Sequence, residues 1–180
     1  GEFILGDPSG ETDEAPAVPV KIAQPFYMGV TEITNAQYAA FNTPHDSGVI
    51  SMTNKDQNQR GHPVNQPNQP VVRVTWLEAT GFCRLLSQKT GRNFTLPTEA
   101  QWEYACRAGT STPYSGTGNL EEMGGYRENG GGVAHPVGQK APNGFGLHDV
   151  HGNVWELCED VYDEHFYERP EARGTDPLAT

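Results

Sequence analysis

At 180 residues the chain is long enough for one ordinary domain with its own core and short for two. Its 23 carboxylates against 12 lysines and arginines leave a net charge of −11, a field that repels nucleic acid and anionic membrane and that bound divalent cations would ease. Glycine (21) and proline (14) are well above ordinary usage, so turns and irregular loops are expected in abundance. No apolar run reaches the length of a membrane span. Neither a Cys-x-x-Cys pair nor a phosphate-cradling glycine loop occurs, which sets aside zinc ribbons, thioredoxin chemistry and nucleotide binding. Three cysteines are too few for a disulfide scaffold.

In chain order, short strands are predicted at residues 3–5 and 18–28. The first of three capping boxes follows, Thr34 with Gln37, ahead of Tyr38 and Phe41. Residues 43–70, rich in Asn, Gln, Pro, Gly and His, read as a long loop. Thr75 with Glu78 opens a second helix carrying Ala79, Phe82, Leu85 and Leu86 at helical spacing, with Gly91 as its stop. After a strand at 94–96, Thr98 with Gln101 opens a third helix bearing Trp102 and Cys106, with Gly109 as its stop. Residues 116–132 read as a second, glycine-rich loop, and strands are predicted at 133–137 and 154–157. Helices and strands mix without βαβ alternation, which points to an α+β fold. No internal repeat or linker divides the chain, so residues 1–180 are expected to form a single domain.

The chemistry concentrates in residues 143–156, Asn-Gly-Phe-Gly-Leu-His-Asp-Val-His-Gly-Asn-Val-Trp-Glu. Asp149 and Glu156 stand seven apart with Gly152 between them, so a turn there can fold both carboxylates around one point and aim backbone carbonyls at it. Oxygen-only ligation of this kind suits a hard cation such as Ca²⁺. The bland alternative makes Asp149 a turn residue and Glu156 the partner of a buried arginine. His148 and His151 flank Asp149 and raise a transition-metal reading with Cys158; lacking a third well-spaced ligand, they read better as hydrogen-bonding residues. Cys83 and Cys106 sit on helical patterns as small hydrophobes. Trp76, Trp102 and Trp155 are expected in the core rather than on a sugar-stacking platform. Arg107 is placed to complement the C-terminal end of the third helix.

Residues 143–156, with Thr-Leu-Pro-Thr-Glu-Ala-Gln-Trp-Glu-Tyr-Ala-Cys-Arg-Ala-Gly at 95–109 upstream, closely resemble the formylglycine-generating enzyme family, also called sulfatase-modifying factors. Residues 1–6, 26–41 and 70–76 are similar to the family's opening strand and its first two strand–helix units. The resemblance implies a compact, loop-rich C-type-lectin-like fold with short helices and short antiparallel strands. It implies a calcium site formed by the Asp149 side chain, the Gly152 and Val154 carbonyls and the Glu156 side chain. A second calcium site, expected within 116–137, has no recognisable ligand pattern. The family's enzymes oxidise a sulfatase cysteine to formylglycine with oxygen and a copper ion held by two cysteines near the end of the domain. That pair, and the Arg-Gly-Gly-Ser-Trp segment before it, have no counterpart here. The expectation is therefore a monomeric domain lacking its C-terminal catalytic segment, inactive as it stands, with structural Ca²⁺ but no copper, no catalytic residue, and a sulfatase or other peptide as the partner of the complete enzyme. The alternative is a non-catalytic C-type-lectin-like binding or scaffold module, of the kind found beside kinase domains.

Overall fold

The structure, a computed structural model, describes residues 1–50 and 62–180; residues 51–61 of the predicted long loop lie outside them. Strand β1 (Glu2–Leu5) pairs antiparallel with β2 (Val18–Lys21), and Leu5 faces Val18 across the ladder. On β2, Val18 and Val20 are buried while Pro19 and Lys21 are exposed, the period of two that a half-buried strand requires. A second antiparallel pair, β3 (Val49–Ile50) with β4 (His62–Pro63), lies within the predicted loop. Strand β5 (Gly174–Thr175) lies on the other side of β2 and runs parallel to it, unlike the antiparallel pairing expected throughout.

The helices begin where the threonines put them. α1 (Asn35–Tyr38), α2 (Trp76–Thr90) and α3 (Glu99–Arg107) open on Thr34, Thr75 and Thr98, and in each the full reciprocal capping box is formed. α2 stops at Gly91, φ 70°, as predicted. α3 stops one residue early: Ala108, φ 47°, takes the left-handed position and Gly109, φ 84°, follows. The predicted loop at 116–132 contains two single-turn helices, α4 (Leu120–Met123) and α5 (Arg127–Gly130).

α3 is the axle of the molecule. Its Ala100 joins Leu5, Val18, Val20, Ile22 and Ala172 in one buried cluster, flanked by Tyr104, while its Ala105 and Cys106 join Leu147 and Val150 in another, flanked by Trp102. Burial of this kind stabilises by about 25 cal/mol per Å² of apolar surface removed from water. α2 docks elsewhere, through an aromatic cluster in which the Phe82 ring lies 5.6 Å from Tyr38 and 6.2 Å from Phe41. Gly81 permits that approach, since a Cβ there would lie 3.0 Å from the Phe41 ring.

Several predicted strands are not strands. Only 18–21 of the 18–28 run pairs, and 94–96, 133–137 and 154–157 are irregular. Their amides are satisfied outside any ladder: Phe94 N donates to Ser87 Oγ (2.8 Å), His135 N to Asn153 Oδ1 (2.8 Å) and Val154 N to Gly152 O (2.9 Å). Side-chain and turn acceptors compete with sheet pairing, and here they prevail. The tryptophans also depart from expectation. Trp102 packs partly buried against the second cluster, but Trp76 is 41% exposed and Trp155 fully exposed. Among the described residues no helix is long and apolar enough to cross a membrane.

Candidate metal site

The run 143–156 is fastened to the end of α3. Buried Asn143 donates through Nδ2 to the carbonyls of Ala105 (2.7 Å) and Cys106 (3.0 Å), two of the last carbonyls of α3, which have no partner within the helix. Asn143 Oδ1 accepts from the amides of Phe145 (2.9 Å) and Leu147 (3.1 Å), so one amide group shapes the turn and caps the helix. Trp102, one turn into α3, donates through Nε1 to Glu156 Oε2 at 3.2 Å. The carboxylate at the end of the run thus has an indole partner, where a buried arginine was the alternative considered.

Asp149 is 4% exposed with φ 63°, and its Oδ2 accepts from Gly138 N at 2.6 Å. Gly152 N closes a turn onto Asp149 O at 3.1 Å, and Asn153, φ 66°, donates its amide to Gly125 O at 2.7 Å. Gly152 is required by close approach: a Cβ at this position would fall 2.2 Å from Gly125 O. The Gly152 carbonyl accepts from Val154 N, which leaves one of its two lone pairs for another partner.

Glu32, which the sequence reading did not single out, completes the electrostatics. It lies just before α1, and Asn153 Nδ2 donates to its Oε1 at 2.9 Å, while its Oε2 is buried and has no hydrogen-bond partner. Burial first, and then the charges of Asp149 and Glu156, push the Glu32 pKa up to about 8. Glu156 is exposed as a residue, but partial desolvation of its carboxylate raises its pKa as well, opposed by the Trp102 hydrogen bond and reinforced by Asp149. Three carboxylates therefore repel one another across this loop. Nothing local in the sequence links Glu32 to position 149; a lone glutamate before a helix carries no such signal. Among the described residues no three His, Cys, Asp or Glu side chains approach closely enough to ligate one ion by themselves. A cation at this loop would rely on the backbone carbonyls too, and a hard, oxygen-preferring ion with flexible coordination fits that donor set.

His148, His151 and Cys106 are engaged in hydrogen bonds. His148 Nδ1 lies 2.8 Å from Lys140 O. His151 Nε2 accepts from Ser115 N at 2.9 Å and lies 2.8 Å from Ser115 Oγ. The buried Cys106 thiol donates to Val150 O (3.4 Å), and desolvation pushes its pKa up to about 12. Burial also raises Cys83 and Cys158, the latter further through Glu99. Arg107 pairs with Glu103 (2.5 Å) and donates to Gly6 O (3.1 Å), tying the last turn of α3 to the β1 loop.

The family profile described as the sulfatase-modifying factor enzyme 1-like domain matches residues 1–176. The chain is 30% identical to a formylglycine-generating enzyme of Streptomyces coelicolor, an alignment covering 93% of this chain and 68% of that protein. It is 32% identical to the serine/threonine-protein kinase pkn1 of Chlamydia pneumoniae, over 93% of this chain but only 28% of the kinase. The structure of PvdO from Pseudomonas aeruginosa superposes with a TM-score of 0.74 at 28% identity, covering 99% of this chain and 73% of that one. The loop-rich α+β architecture is that of these relatives. With a profile match over almost its whole length, the chain belongs to the sulfatase-modifying factor, or formylglycine-generating enzyme, family.

Proposed function

We propose that residues 1–180 are the greater part of a single formylglycine-generating oxidoreductase domain, that its 149–156 loop holds one structural Ca²⁺, and that the chain as given is a monomer which lacks the catalytic segment and does not itself make formylglycine. The calcium reading is supported by Asp149 and Glu156 at the two ends of one loop and by Glu32, whose Oε2 is buried and unpartnered and whose carboxyl feels the charge of both. Asp149 and Glu156 would supply carboxylate oxygens and Gly152 and Val154 carbonyls, the set the family resemblance implies, and the positive charge would relieve the repulsion on Glu32. The ion would fix the loop that α3 orients.

In the enzymes of the family, cysteine oxidation uses a copper ion held by two cysteines near the end of the domain, and Cys83, Cys106 and Cys158 occupy other positions of the motif pattern. Trp155, Leu157, Trp76 and Leu77 are exposed apolar side chains that further segments of a complete domain would cover. In that whole protein a sulfatase peptide would be the substrate. A binding module without redox chemistry is the second reading, favoured by the relative in which the matched region makes up little more than a quarter of a protein kinase.

Calcium that binds only the folded state stabilises it by mass action. Thermal melts in calcium and in chelator should differ for the parent and coincide for Asp149→Ala; coinciding melts of the parent would overturn the calcium assignment. For the activity, the purified chain is incubated with copper(I), oxygen and a cysteine-containing sulfatase peptide, and the aldehyde is sought by mass spectrometry. No aldehyde is expected, and turnover by this chain would show that the active site lies within residues 1–180 and overturn this reading.

A further inference from the structure

Asp149 and Glu156, the two carboxylates of the 149–156 loop, are oriented by different means. Asp149 is buried and its Oδ2 accepts from the Gly138 amide at 2.6 Å, so the backbone holds it. Glu156 stands on an irregular, exposed stretch, where a glutamate keeps several rotamers unless something outside the stretch selects one. Trp102 makes that selection, its Nε1 donating to Glu156 Oε2 at 3.2 Å across 54 residues of sequence. Glu156 Oε1 takes no hydrogen bond among the described residues.

Trp102 is itself held firmly. Its amide donates to Thr98 O at 2.8 Å in the first turn of α3, and its ring packs against the cluster of Ala105, Cys106, Leu147 and Val150. One residue on, both carboxylate oxygens of Glu103 accept from the Gly6 amide (3.0 and 3.2 Å), which fastens α3 to the end of β1. The indole therefore meets the loop twice, through the cluster that contains the two neighbours of the Asp149 segment and through Glu156 at the far end. An indole N–H is a donor only. It fixes a carboxylate oxygen without competing for a cation and without offsetting the negative charge that a cation needs, as an arginine in its place would.

Resting on the calcium reading above, we propose that Trp102 is the positioning residue of the calcium loop: its N–H presents the Glu156 carboxylate, so that calcium affinity is coupled to α3. Partners of this kind around a metal ligand fix its orientation, and their loss weakens metal binding by about tenfold to a hundredfold. By linkage, the ion in turn strengthens the bond between Trp102 and Glu156.

The test is calorimetric titration of calcium into the full chain, with urea denaturation in chelator alongside. Trp102→Phe keeps an aromatic ring and removes the donor, and its calcium Kd should rise by about tenfold or more. Ala105→Gly loosens the same helix and cluster without touching Glu156; it should lower the urea midpoint and leave the Kd within about twofold of the parent's. A second readout in the parent serves if Trp102→Phe does not fold. The three indole N–H signals of the ¹⁵N-labelled protein are assigned by removing Trp76 and Trp155 in turn. Calcium should shift the Trp102 signal with the same midpoint as the heat and slow its exchange with solvent. An unchanged Kd in folded Trp102→Phe, an equal rise in Ala105→Gly, or a Trp102 signal indifferent to bound calcium overturns this inference and leaves the calcium assignment standing. A parent that shows neither calcium heat nor a calcium-dependent melt overturns both.

Discussion

Asn153 reaches across 121 residues of sequence to hold Glu32, with Nδ2 2.9 Å from Glu32 Oε1. The same side chain accepts from His135 N at 2.8 Å and donates to His135 O at 3.3 Å. A single amide thereby joins the segment before α1, the 133–137 segment and the candidate metal loop. Its left-handed backbone, φ 66°, is one that asparagine tolerates better than other residues with a Cβ.

Replacing Asn153 separates the two contributions. Asn153→Gly keeps the backbone relaxed but loses the side-chain bonds, at a cost of about 2 kcal/mol. Asn153→Ala loses the bonds and adds left-handed strain, for about 3 kcal/mol in all. Urea denaturation should rank the midpoints parent, glycine, alanine. Equal midpoints for all three would show that the amide does not join these segments in solution.

Glu32 makes the calcium-free protein less stable as pH rises. Its folded pKa of about 8 lies above its ordinary value of 4.5, so the folded state holds a proton that the unfolded state releases first. The associated stability is complete below about pH 4.5 and is lost as pH rises through about 8. Melts in chelator should show this fall for the parent and a flatter profile for Glu32→Gln. Saturating calcium should flatten the parent's profile too, because the ion takes over the proton's role in neutralising the cluster. Parallel profiles for parent and variant would rule out the coupling.

His151 acts with the opposite sign. Burial lowers its pKa below the ordinary 6.5, so the unfolded state takes up a proton before the folded one. Its stabilising contribution is present above that ordinary value and declines as pH falls toward the folded pKa. Protonation of Nε2 also removes the acceptor for Ser115 N. His151→Gln should be less stable than the parent at pH 7, and the gap should narrow by pH 5. A gap independent of pH would mean that the imidazole contributes by packing alone.

Thr98 caps the helix on which both core clusters depend. Its Oγ1 accepts from Gln101 N (3.1 Å), and Gln101 Oε1 accepts from Thr98 N (3.0 Å). Thr98→Ala should cost about 1 kcal/mol and Thr98→Ser close to nothing. Chemical denaturation of the three proteins measures this directly, and indistinguishable midpoints would contradict the cap.

What could be read from sequence was what local rules govern. The three helix starts followed from Thr34, Thr75 and Thr98 with their partners three residues on, because a capping box is closed by atoms within one turn. The proposal of a cation site at 149–156 rests on the same kind of local signal, two carboxylates and Gly152 within eight residues. The strands at 94–96, 133–137 and 154–157 were misread because their amides are satisfied by Ser87, Asn153 and Gly152, whose positions depend on how distant segments pack. The expected burial of Trp155 failed on similar grounds, since an apolar residue is buried only if something folds over it. Residue order determined the family, the mixed fold class and the helix boundaries. Tertiary structure decided that Glu32 is held by Asn153 and feels the charge of Asp149, because a charge acts through space on whatever neighbour the fold brings near.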